Sequence, residues 1–189
     1  MTPVPRALAA LACATGLLLT TPALASAADL VHTDPARDVR SGTIDGDLLR
    51  PAPAERRVDI RRVEVSHGAE ALVVRFRTRG ALPGTKVFLG ARVRTPSATF
   101  DLTYLDFFGE SGVSMSRGVD DVACEGLTAT PEGRVVTFVV PSSCLGSPAW
   151  VRVGVGAAQM RHQRMVADDG FSRRQIGDDL HLSKRIARG

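Results

Sequence analysis

Five aspartates stand close together near the start of the chain. Asp34 and Asp38 belong to the run Asp34-Pro35-x-x-Asp38, and Asp45, Asp47 and Asp59 follow. A carboxylate is a hard oxygen donor, and Ca²⁺ takes about six to eight such oxygens, backbone carbonyls included. The spacing does not match an EF-hand loop. Asp34, Asp38, Asp45, Asp47 and Asp59 are therefore a candidate ligand set for calcium, gathered from loops beside a strand. The competing account is a solvated loop whose aspartates close Asx turns, with Arg37, Arg40, Arg56 and Arg57 neutralising the same carboxylates without metal. The doublets Asp120-Asp121, Asp168-Asp169 and Asp178-Asp179 read as turn chemistry.

No catalytic residues are assigned. His32, His67, His162 and His181 do not fall at metal-ligand spacing, and there is no H-E-x-x-H. Gly109-Glu110-Ser111-Gly112 places its second glycine one position too early for the G-x-S-x-G nucleophile elbow. A hydrolase would have to assemble its site from distant residues. Aromatic residues, the usual platform for a sugar ring, are only 5% of the chain. Trp150, Tyr104 and the pair Phe107-Phe108 are the candidates, and core packing is the expectation for each.

The elements that must position these residues show period two. Val58-x-Ile60 and Val63-x-Val65 change phase at Arg61-Arg62, which predicts a bulge. Leu72, Val74 and Phe76 alternate with Arg75, Arg77 and Arg79. Val87, Leu89, Ala91 and Val93 alternate with Arg92 and Arg94, and Phe100, Leu102 and Tyr104 alternate with Asp101 and Thr103. Val135 to Val140 is almost continuously apolar, and Trp150 to Val155 alternates again. Short strands at regular spacing, with turn residues between them, predict an all-β chain: a single antiparallel β-sandwich, jelly-roll-like. The five alternating arginines then lie on solvated sheet faces, or form a patch for an anionic ligand. Residues 34–56 read as a polar loop or meander. In 157–189 the sequence suggests a loop around Asp168-Asp169-Gly170 and a last strand near Leu180 to Ile186.

Residues 1–27 have the order of an export leader: Arg6, an apolar run from Ala7 to Leu19, then Ala23-Leu24-Ala25 and Ala25-Ser26-Ala27. Cleavage is expected after Ala27, leaving 28–189 as one domain. Cys13 lies too early, inside the apolar run, for a lipid-bearing cysteine. Two cysteines remain, Cys124 and Cys144, and an even count in an exported chain predicts one disulfide at the base of a hairpin that turns at Pro131-Glu132-Gly133. No apolar run after residue 27 approaches the ~20 residues of a membrane span. The 22 Arg against 2 Lys, with no Asn, fit the codon usage of a GC-rich genome. Loss of Arg6 leaves 23 basic against 20 acidic side chains, a net of +3. Scattered arginines without interleaved aromatics do not make a nucleic-acid surface.

Three segments carry a resemblance. They are Asp34-Pro35-x-x-Asp38-Val39, then Val58-Asp59-Ile60-x-x-Val63-x-Val65-x-His67, and Val139-Val140-Pro141-x-x-Cys144-Leu145-Gly146-x-Pro148-x-Trp150-Val151-Arg152-Val153-Gly154. With these the chain resembles a group of uncharacterised secreted proteins of high-GC actinobacteria. More distantly, an Asp-rich segment leading into an Asp-Ile strand is similar to DOMON-like and family-9-like carbohydrate-binding sandwiches, some of which hold structural calcium. The resemblance implies a β-sandwich. The expected function is that of a secreted, non-catalytic sandwich binding an extracellular glycan or cell-envelope ligand, with a secreted hydrolase as the alternative.

Overall fold

The computed structural model describes residues 28–43, 50–172 and 179–189. Residues 1–27, read above as an export leader, and Asp45, Asp47 and Asp178 lie outside them. Every paired strand is antiparallel, and two sheets pack face to face. The first sheet contains β1 (Ala28–Thr33), β4 (Ile60–His67), β5 (Ala71–Thr78), β11 (Val135–Pro141) and β10 (Thr128–Glu132), in that spatial order. The second runs β3 (Arg50–Pro51), β2 (Arg40–Thr43), β13 (Arg164–Asp169), β12 (Trp150–Arg161), β6 (Val87–Arg94), β7 (Thr99–Phe107), β8 (Glu110–Arg117) and β9 (Asp120–Asp121). Beside its path, β14 (Ile186–Ala187) pairs with the start of β12.

Alternation explains the two layers. Side chains of a strand point to opposite faces in turn, so one set is buried between the sheets and the other faces outward. Val63, Val65, Leu72, Val74, Phe76, Val136, Phe138 and Val140 come inward from the first sheet. They meet Leu89, Ala91, Val93, Leu102, Val153 and Val155 from the second, all in one core. Val135 to Val140, although apolar almost throughout, still alternates: Val136, Phe138 and Val140 are buried, while Val135 and Val139 are half-buried on the outer face. Arg75, Arg77 and Arg94 are exposed. Arg92 is instead clamped between Asp101 and Asp179.

The expected bulge is present: β4 slips register against β5 between Ile60 and Arg62. The hairpin of β10 and β11 turns two residues later than expected, at Gly133-Arg134. Pro131 and Glu132 pair within β10 as partners of Val136 and Val135. That assignment suits an edge strand, where a missing N–H can face away from the ladder. The segment 34–56 is not all loop, since it contributes β2 and β3. Among the described residues the last long strand is β13, and the strand expected near Leu180 to Ile186 is reduced to the two-residue β14. Cys124 and Cys144 form the disulfide, with Cα atoms 5.5 Å apart; Cys144 sits in a short 3-10 helix, Ser142–Leu145.

The C-terminal segment 179–189 lies across β12. Ser183 N–H donates to the Val153 carbonyl at 2.8 Å, and Val153 N–H donates to Ser183 Oγ at 3.0 Å. Gly154 permits this approach. A Cβ there would stand 2.5 Å from the His181 carbonyl oxygen and 3.0 Å from Leu180 Cβ. Gly154→Ala should therefore push the segment off β12 and destabilise the fold by about 1–3 kcal/mol, as overpacking does. Denaturant midpoints of the two proteins check it, and an unchanged midpoint would show that the segment contributes nothing there.

Candidate metal centre

The bulge in β4 builds one wall of the site. The extra residue, Arg61, turns its carbonyl to accept the Asp34 N–H at 3.2 Å, just where β1 ends at Thr33. Two residues earlier, Asp59 is fully buried. Its Oδ2 accepts the N–H of Arg37 at 3.0 Å and lies 3.2 Å from Arg79 Nε. Arg37 takes a positive φ of 69°, an uncommon conformation for a residue with a side chain, and so folds the stretch from Asp34 to Asp38 back on itself.

The other wall comes from β13. Asp168 and Asp169 end this strand and are both buried, which corrects the expectation of a turn. Successive side chains point to opposite faces. Asp168 reaches the other sheet, where its Oδ2 accepts the Ile60 N–H at 2.7 Å. Asp169 is held from the C-terminal segment: its Oδ2 accepts both the N–H of His181 and a 2.8 Å contact from His181 Nδ1, and its Oδ1 accepts the Phe171 N–H at 3.1 Å. His32 of β1 stacks on Phe171 with ring centroids 4.6 Å apart, and its Nε2 is 4.0 Å from Asp34 Oδ1.

One oxygen from each of Asp34, Asp38 and Asp168 lies within 4.8 Å of the others, and all three residues are buried. Two of the five expected ligands, Asp34 and Asp38, are thus brought together. Asp59 stands beside the cluster but not in it, committed to Arg37 and Arg79. Asp168 replaces it, and nothing local to the sequence marked it out: it lies 108 residues from Ile60, the group it bonds. Arginine neutralisation is seen at Asp59, where it comes chiefly from Arg79 rather than from the expected arginines. Arg56 and Arg57 turn their backbone N–H groups to Glu55, and Arg37 offers Asp59 a backbone N–H. Among the described residues, no arginine pairs with Asp34 or Asp168.

The electrostatics follow from that arrangement. Burial, with the charges of Asp168, Asp38, Asp169 and Asp59 added, pushes the Asp34 carboxyl up to about 9. Asp168 rises to about 8, because burial and the charges of Asp38 and Asp59 outweigh the Ile60 N–H that favours its ionised form. Burial also raises Asp59, against the opposing pull of the Arg37 N–H and Arg79. Both oxygens of Asp34 are buried without a hydrogen-bond donor among the described residues. Such a group costs free energy until a proton or a cation satisfies it.

The remaining candidates lie apart from this cluster. His67 is buried, with Nδ1 3.2 Å from the Ile186 carbonyl. The guanidinium of Arg185 covers the Trp150 ring, 4.4 Å from its centroid. Tyr104 is partly buried against the core, as expected. Phe108 is not: at the tip of the β7–β8 hairpin it is 84% exposed. Among the described residues, no helix is long and apolar enough to cross a membrane. Comparison with known proteins returns no match, whether to a family model, a curated protein or a solved structure.

Proposed function

We propose that this chain is an exported, non-catalytic β-sandwich, presented to an extracellular ligand, whose N-terminal segment is fastened to both sheets by a calcium ion. Asp34, Asp38 and Asp168 would hold it. The observation that carries this reading is the Asp34 carboxylate, buried with no donor to either oxygen among the described residues, beside two further buried carboxylates. The donor set is all oxygen, with no thiol or imidazole among the three, and this suits Ca²⁺ or Mg²⁺ rather than zinc. Calcium is favoured because it accepts irregular, carboxylate-rich cages. Mg²⁺ demands near-octahedral geometry and keeps most of its water, which a buried cluster does not provide. Outside the cell a Kd on the order of 10⁻⁴–10⁻³ M suffices.

Calorimetric titration of the 28–189 protein with CaCl₂ should give one site, and Asp34→Asn should abolish the heat. Asp34→Asn should also melt no lower than the parent in chelator, because it removes an unsatisfied buried carboxylate. Absence of calcium binding by the folded parent would overturn the reading. Tighter binding of Mg²⁺ than of Ca²⁺ would overturn the choice of ion.

A hydrolase draws on one observation, the buried Asp169 that orients a half-exposed His181 at 2.8 Å. This is the pairing a general base uses. Among the described residues no serine, threonine or cysteine is hydrogen-bonded to His181. The pair instead ties the C-terminal segment to β13.

A further inference from the structure

A cleft of about 560 Å³ opens beside the Asp34–Asp38 turn, lined by Arg37, Pro53, Ala54, Arg56 and Arg79. Three of its five wall residues are arginines and none is acidic. We propose that it binds a phosphate group through these three guanidiniums. The site is distinct from the cation cluster, and the inference does not depend on calcium being bound.

The three arginines are fixed to different degrees. Arg79 is preorganised: its Nη2 donates to the carbonyls of Pro53 at 3.0 Å and Glu55 at 2.6 Å, and its Nε faces Asp59. Nη1 has no protein partner among the described residues and is left for a ligand. Arg37 and Arg56 are anchored by their backbones instead. The Arg37 N–H is held by Asp59, and Arg56 donates its N–H to Glu55 Oε1 at 2.9 Å while its carbonyl accepts the Gly80 N–H at 2.6 Å. Neither guanidinium has an ion-pair partner among the described residues. The main chain thus holds in place two guanidiniums that form no ion pair with an acid among the described residues.

The chemistry selects the ligand. A guanidinium is a planar fork of donors matched to paired oxygens. Two forks, on Arg37 and Arg56, and the remaining Nη1 of Arg79 can engage the tetrahedral oxygens of a phosphate from three chain segments, whereas a carboxylate has two coplanar oxygens to offer. The cleft is also larger than one phosphate, so the group can belong to a larger molecule. Around Ala54 and Arg56 the surface continues into a second depression carrying Arg57, Arg134 and Arg161. Of these, Arg161 is paired with Glu55 at 2.9 Å. This continuity suits a phosphate-bearing polymer as well as a small phosphate ester.

The test is calorimetry on the 28–189 protein, with inorganic phosphate in chelator and with glycerol phosphate in calcium. Saturable binding of either probe is expected. Arg56→Gln should weaken it by about tenfold, the loss of a charge-assisted contact. Arg56→Lys should recover only part of the loss, because the charge returns without the fork. Arg94→Gln, an exposed arginine on the other sheet, should change nothing. A poly(glycerol phosphate) binding more tightly than its monomer would identify the source as a polymer, and equal affinity a small ester. No binding of either probe would overturn the inference. So would equal binding of acetate, or an Arg94→Gln loss as large as that of Arg56→Gln, since each reports diffuse charge rather than a site.

Discussion

In chelator, the folded protein should lose stability as pH rises from about 5 to 8, and calcium should reverse that trend. The sign follows from the two raised aspartates. Unfolded, Asp34 and Asp168 titrate at the ordinary carboxylate value of 3.8; folded, they titrate near 9 and 8. Between these limits the native state holds protons that the unfolded chain has released, so each group's contribution is fully present below the unfolded pKa and is lost as pH rises towards the folded one. The slope is about 1.4 kcal/mol per pH unit for each proton, so the change across this window is on the order of several kcal/mol. On the proposed reading calcium has to displace the same protons, so its binding should strengthen as pH rises. Bound only to the native state, it adds stability by mass action. Urea midpoints at pH 5 and pH 8, each in EDTA and in millimolar calcium, give the four numbers required. A midpoint in EDTA that rises between pH 5 and pH 8 would show that the cluster is already satisfied by protein groups.

The layers of this fold are legible in period two because burial on one face of a sheet leaves an alternating trace. Leu72, Val74 and Phe76 against Arg75 and Arg77 are the clearest case. The bulge at Arg61 is legible for the same reason: one extra residue shifts the phase. Asp168 is illegible by that means. A buried carboxylate at the end of a strand has the same local sequence as a turn, and Asp168-Asp169-Gly170 supplies the glycine that a turn would use. What places Asp168 opposite Asp34 is the packing of β13 across β4, a relation with no local signature. The assignment of Arg79 to a solvated face fails for a related reason. Arg79 belongs by alternation with the exposed Arg75 and Arg77, yet the chain bends past Asp59 at that point and the guanidinium turns to it. Phe108, expected in the core by its type, lies at a hairpin tip where the next residue, Gly109, already turns the chain.

Loss of the Cys124–Cys144 bridge should lower stability by about 3 kcal/mol, the chain-entropy value for a loop of this length. Between Asp121 and Thr128 the chain crosses from the last strand of one sheet to the edge strand of the other, β9 to β10. Cys124 lies on that crossing, and the bridge pins it to the short helix that follows β11. Without the bridge, β10 is held through its pairing with β11 and through few inward apolar side chains, since its residues alternate between exposed and half-buried. Cys124→Ser together with Cys144→Ser should therefore lower Tm by roughly 6–12 °C for a domain of this size. The first amides to lose hydrogen-exchange protection should be those of Thr128–Glu132, because edge elements with little buried contact open below the global unfolding energy. If the double variant does not accumulate as folded protein, reduction of the parent under native conditions gives the same comparison. A Tm within 2 °C of the oxidised protein would mean that packing alone holds the crossing. Protection lost evenly across both sheets would mean that the bridge stabilises the sandwich as a whole rather than its edge.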